Sequence, residues 1–140
     1  AITARKNVER LVSYAQARTA AGSAVRQTFR NEIADRAIET SICQLLSFVV
    51  ISIQAKGGVP NMEASMCKMY GSELSQRIAG TKMHLAGMYG QERKASGLQD
   101  AHSINAAQEY MQTVPATIAA GTSEIQRSII ATRGLGLPRG

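Results

Sequence analysis

The sequence has no tryptophan, two phenylalanines and four tyrosines, so aromatic residues supply only 4% of it. That scarcity argues against a sheet faced with aromatic and branched side chains and favours helices packed through aliphatic and methionine side chains. Proline occurs three times, so long uninterrupted helices are allowed. The two cysteines, Cys43 and Cys67, are too few and too far apart for a zinc motif; each falls in an apolar helical setting where a buried free thiol is ordinary. His84 and His102 lack the partner spacing of metal ligands. A reducing cytoplasm is the expected location. The longest apolar run, Leu45 to Ile53, is broken by Ser47 and Ser52, so no membrane span is expected. No signal-peptide pattern opens the chain, and since its first residue is Ala1 it reads as a piece of a longer polypeptide.

Dense basic runs are missing too. The charge of +6 arises from 16 basic and 10 acidic residues, with Arg5, Lys6, Arg10, Arg18, Arg26, Arg30, Arg36, Lys56 and Lys68 scattered along the chain as on solvated helix faces. Without an aromatic–basic surface or a recognition-helix motif, nucleic acid is not an expected partner.

What is present is helical periodicity over 140 residues, 44% of them hydrophobic, enough for one domain with a usable core. Val8, Leu11, Val12 and Ala15 predict a first helix over Thr3 to Arg18. Val25, Phe29, Ile33, Ala37, Ile38, Ile42, Leu45, Leu46, Val49 and Ile53 recur at threes and fours and predict one long amphipathic helix. Gly57, Gly58 and Pro60 form a turn. A third helix, capped by Asn61, runs to about Ala86 with Met62, Met66, Met69, Leu74, Ile78 and Leu85 inward and Glu63 and Glu73 outward. Tyr89 to Ser103 reads as a loop and Ile104 to Gln112 as a short fourth helix. Two long helices joined by a short turn pack antiparallel, so the predicted fold is all-α, a bundle of four to five helices in a single domain.

The final stretch has a start, a body and a stop. Gly121 permits a tight turn, and Ser123 with Gln126 three residues on predicts a capping box. Glu124 sits where the helix dipole favours a carboxylate. Ile125, Ile129 and Ile130 form an apolar stripe, while Gly134, Gly136 and Pro138 end the helix. Free N–H groups beside Gly121 and the Thr122 hydroxyl suit a phosphate or diphosphate; a capped surface helix without a ligand has the same features.

Gly121-Thr122-Ser123-Glu124-Ile125-Gln126-Arg127, followed by Ile129-Ile130-Ala131 and Arg133 to Pro138, resembles the signature closing the C-terminal helical domain of acyl-CoA dehydrogenases. Asn61 to Ile78 resembles that domain's third helix, Val25-Arg26-Gln27 the opening of its second, and Tyr110-Met111, Val114-Pro115 and Thr117-Ile118 its approach to the Gly-Thr turn. The resemblance implies α,β-dehydrogenation of an acyl-CoA thioester with FAD as cofactor, an electron-transferring flavoprotein as electron acceptor, and a homo- or hetero-oligomer. By the same resemblance Gly121, Thr122 and Glu124 would touch the flavin diphosphate and adenosine ribose. Arg18 and Gln27 would reach a neighbouring subunit's FAD, although the phenylalanine the family places between them is missing. His84, standing in for a glutamine, and Gly87 would belong to a glycine-rich turn beside the dinucleotide.

One position departs from the pattern. Many members carry the catalytic glutamate immediately before the Gly-Thr turn, where this chain has Ala120. Others carry it on an earlier helix in a Glu-Arg-Leu setting, which Glu9-Arg10-Leu11 imitates, although by spacing that glutamate falls before Ala1. The remaining expectation is a non-catalytic structural subunit that supports an active partner.

Overall fold

In the computed structural model residues 2–22, 25–91 and 105–139 are described. Five α-helices run in the order α1 Ile2–Ala20, α2 Gln27–Ala55, α3 Asn61–Ala86, α4 Ala106–Thr113 and α5 Ser123–Ile129. Short 3-10 turns cover Gly87–Gln91 and Pro115–Thr117. Among the described residues there is no strand. The expected loop from Tyr89 to Ser103 is a 3-10 turn as far as Gln91; the rest of it, with Ile104 and His102, lies outside the described residues.

α2 and α3 form the spine. At 29 residues α2 is about 43 Å long. It ends in a Schellman turn: Gly57 N–H donates to the Gln54 carbonyl and Gly58 N–H to the Ile53 carbonyl, both at 2.9 Å, with Gly57 at φ +76° where a side chain would be strained. Leu11, Val8 and Ala4 of α1, Ile33 and Cys43 of α2, and Leu74, Ile78 and Leu85 of α3 make the core. At the far end of the spine the Arg18 guanidinium donates to the Leu85 carbonyl at 2.8 Å, fastening α1 to the end of α3.

Several local expectations need correction. Asn61 is the first residue of α3 rather than its cap; Pro60 precedes the helix and no side-chain cap forms. Proline fits there because the first turn of a helix has no use for its missing N–H. The apolar recurrence that predicts α2 does not mark its buried face: the buried positions are Ile33, Thr40 and Cys43, while Ile38, Ile42, Leu45 and Val49 are exposed. α2 is apolar on two sides, and periodicity alone cannot say which side meets the core. By length and mean hydropathy, 1.5 over eighteen residues, α2 would also pass for a membrane span, which the serine-broken run did not suggest. Three of the scattered basic residues are not on solvated faces: Arg18 and Lys68 are half-buried and Arg36 lies within an ion-pair chain.

Candidate functional site

The terminal helix begins one residue earlier in function than expected. Thr122, not Ser123, is the cap: its hydroxyl accepts from Ile125 N–H at 3.4 Å. Ser123 is the first helical residue and is buried. Gln126 does not complete a capping box. Its amide passes back to the Ala120 carbonyl at 3.0 Å, while the Lys68 ammonium donates to the Gly121 carbonyl at 2.5 Å. Both bonds hold a turn of unusual backbone, with Ala120 at φ +56° and Gly121 at φ +94°. A Cβ on Gly121 would come within 2.7 Å of the Gln126 amide nitrogen and would shift that side-chain end; the positive φ is what calls for glycine.

Glu124 is fully exposed, and its carboxyl is held below the ordinary glutamate value, first by a hydrogen bond from the Thr122 hydroxyl and then by its own backbone N–H. The expected isoleucine stripe is not the buried face of α5; Ser123 and Gln126 are buried, and Ile125 is 53% exposed. The helix does not stop at Gly134 by simple fraying. It widens into a π-turn over Ile130–Gly134, closed by Leu135 N–H on the Ile130 carbonyl at 3.0 Å. Gly134 is pressed on Met62, where any Cβ would overlap the thioether.

An ion-pair chain docks α5 on the spine. Arg127 meets Glu73 at 2.8 Å, Arg77 lies 4.0 Å from Glu73, and Glu39 bridges Arg77 and Arg36 at 3.0 Å each. The Glu39 contacts are at ion-pair distance without the alignment of hydrogen bonds. Burial, and secondarily the Glu39 charge, push the Tyr70 phenol above its ordinary value. Beside this chain lies an open groove of about 900 Å³ lined by Arg77, Gly80, His84, Ser123, Glu124 and Arg127, among others.

The structure therefore brings the sequence candidates together in two places. Thr122 and Glu124 open α5 beside the groove, and His84 lines the same groove from α3, 3.5 Å from Glu32. Gly87, at φ +61°, caps α3 one residue beyond Ala86, next to the Leu85 carbonyl held by Arg18. Gln27 joins neither set; it is exposed and bonds Asn31 on its own helix at 2.9 Å. Glu9 is on the outer face of α1, paired with Arg5 at 3.0 Å. Ala120 is exposed at the turn. The contacts by which Lys68 and Gln126 hold the turn were not read from the sequence, which gave Gln126 a capping-box partner in Ser123 instead. Among the described residues no cluster of three metal-ligating side chains occurs.

The family model described as acyl-CoA dehydrogenase, C-terminal domain, matches residues 1–135. The chain belongs to that family. No curated protein matches this family member significantly. Among solved structures it is similar to the Tcur3481-Tcur3483 steroid ACAD, with TM-score 0.82 and 22% identity over 98% of this chain and 35% of that one. The ChsE4-ChsE5 complex from Mycobacterium tuberculosis gives 0.81 and 22%, over 98% and 36%. The FAD complex of PigA gives 0.79 and 23%, over 96% and 33%. At these identities the likeness is one of fold, and this acyl-CoA dehydrogenase domain spans about a third of the length of each chain it resembles.

Proposed function

We propose that this domain is the helical part of a larger FAD-dependent acyl-CoA dehydrogenase, which it serves with cofactor contacts and an assembly surface. The single observation behind this reading is the groove shared by Ser123, Glu124 and His84. It brings together Glu124 of α5 and His84 of α3, both of which the family resemblance sets beside the dinucleotide.

The side chains suit that cofactor. Thr122 offers a hydroxyl, and the compact Gly121 backbone leaves room for close approach of a diphosphate. Glu124, an acceptor, suits a ribose hydroxyl rather than a phosphate. Arg127 and Arg77 also line the groove; both are paired with Glu73 and offer hydrogen-bond donors rather than a net positive charge. Bound FAD would supply hydride acceptance from the β-carbon of an acyl-CoA thioester; this chain's own part is to bind and orient it. Ala120 cannot take up the α-proton, so the base of the full enzyme comes from a residue before this domain or from another subunit.

The missing base favours a second reading, a structural subunit that retains the fold and assists an active partner. Anaerobic addition of a panel of acyl-CoA thioesters to the purified full-length protein decides between the two. Bleaching of bound flavin supports the dehydrogenase; bound flavin that never bleaches supports the structural subunit. The 140 residues alone are expected to bind FAD poorly and to bleach none. Reoxidation by an electron-transferring flavoprotein and residence in a reducing cytoplasm belong to the same proposal.

A further inference from the structure

A second cavity, of about 310 Å³, lies between α1, α3 and α4 and shares no lining residue with the groove beside α5. Asn7 and Arg10 of α1, Ser75 and Lys82 of α3, and Glu109 and Thr113 of α4 line it, together with the buried Ile78 and Ala79. Lys82 is 6% exposed, and its ammonium carries three N–H donors. Among the described residues it makes one hydrogen bond, to Glu109 at 2.6 Å. Two donors are left for an occupant of the cavity, and a buried donor without a partner is costly. Arg10 is exposed and makes no ion pair among the described residues, and Glu9 beside it is paired with Arg5. Its planar guanidinium can therefore offer two parallel N–H groups to a carboxylate.

We propose that this cavity binds a short hydroxycarboxylate, its carboxylate held by Arg10 and Lys82 and its hydroxyl by the side-chain oxygens of Ser75 and Thr113. The site lies outside the flavin function proposed above and stands without it. Charge sets the valence of the ligand. Two cations and the Glu109 carboxylate leave one positive charge at the cavity, which a monocarboxylate neutralises and a phosphate dianion exceeds. Hydrogen-bond polarity sets the rest. Ser75 Oγ donates to the Gly71 carbonyl at 2.9 Å and Thr113 Oγ1 to the Tyr110 carbonyl at 2.6 Å. Each hydroxyl proton is thus committed, and the two oxygens can only accept. They call for a donor on the ligand, which a hydroxyl supplies and a plain fatty carboxylate lacks. Ile78 and Ala79 suit a short carbon body.

The test is calorimetric titration of the full-length protein with lactate at constant ionic strength, with circular dichroism to verify folding and flavin absorbance read on the same samples. The expected result is one saturable site with a Kd of about 1 mM, and binding roughly tenfold weaker in Arg10→Gln and in Lys82→Met. Propionate, which lacks the hydroxyl, is expected to bind the wild type more weakly than lactate. Absence of saturable binding, or the same Kd in the wild type and in Arg10→Gln, overturns the proposal. Inorganic phosphate or propionate bound as tightly as lactate overturns the choice of a hydroxycarboxylate. Lactate binding that follows flavin content instead of Arg10 puts the ligand at the cofactor groove and also overturns it. Should Lys82→Met fail to fold, Arg10→Gln decides alone, since its side chain is exposed on α1.

Discussion

The Gln126 side-chain amide donates to the Ala120 carbonyl at 3.0 Å, closing a loop around Gly121 and Thr122 from inside the helix that those residues begin. Gln126 is 6% exposed, whereas Ala120 is exposed, so water can replace the lost donor at the carbonyl. Gln126→Leu is expected to cost about 0.5–1.5 kcal/mol, the net worth of one ordinary hydrogen bond. Urea denaturation monitored by circular dichroism measures it, and a loss below about 0.5 kcal/mol would show that the bond is not structural.

Ala120 is the only non-glycine with positive φ among the described residues. A left-handed alanine is strained by about 1–2 kcal/mol, partly offset in a glycine variant by the greater freedom of the unfolded chain. Ala120→Gly is expected to stabilise the fold by about 0.5 kcal/mol, read as a rise in denaturation midpoint at constant slope.

Lys82 is 7% exposed at its side chain and pairs with Glu109 at 2.6 Å, while Glu109 remains 37% exposed. The partners are therefore unequal. Glu109→Ala leaves a buried ammonium without its counter-charge and should cost about 3 kcal/mol. Lys82→Met leaves a carboxylate that water can reach and should cost about 1 kcal/mol or less. Reversal of that order in paired unfolding curves would place the burial on the wrong partner.

The Thr122 hydroxyl favours the charged form of Glu124. A carboxyl whose folded value lies below its unfolded value adds stability above the unfolded value and loses it as pH falls through the folded one. Thr122→Val should therefore move the Glu124 titration upward, toward that of an ordinary glutamate, as followed by carboxyl-carbon NMR. Because Glu124 is exposed, the accompanying change in stability is expected to be small.

Helix existence and order were legible because the relevant residues mark them locally. Gly57, Gly58 and Pro60 end α2, and Gly87 ends α3, wherever the helices later pack. Orientation was less legible. α2 has apolar residues on both the Cys43 side and the Leu45 side, and only the position of α3 makes one of them interior. The start of α5 was off by one because Thr122 and Ser123 are both competent caps; the deciding factor is Gln126, which reaches Ala120 and leaves Ser123 packed inside. Lys68 resembled any scattered basic residue, since its partner is a backbone carbonyl 53 positions away. The turn itself, Gly121 with Thr122 and Glu124, was visible because its residue types and spacing carry the geometry.

The proposed role of this turn is to receive a dinucleotide. Titration of the flavin-stripped full-length protein with FAD, followed by flavin fluorescence, tests it on the wild type and on Thr122→Val, with circular dichroism as the folding check. Loss of one direct hydrogen bond of about 1.4 kcal/mol predicts a Kd roughly tenfold weaker for the variant. An identical Kd for the two proteins, both folded, would contradict that role for Thr122.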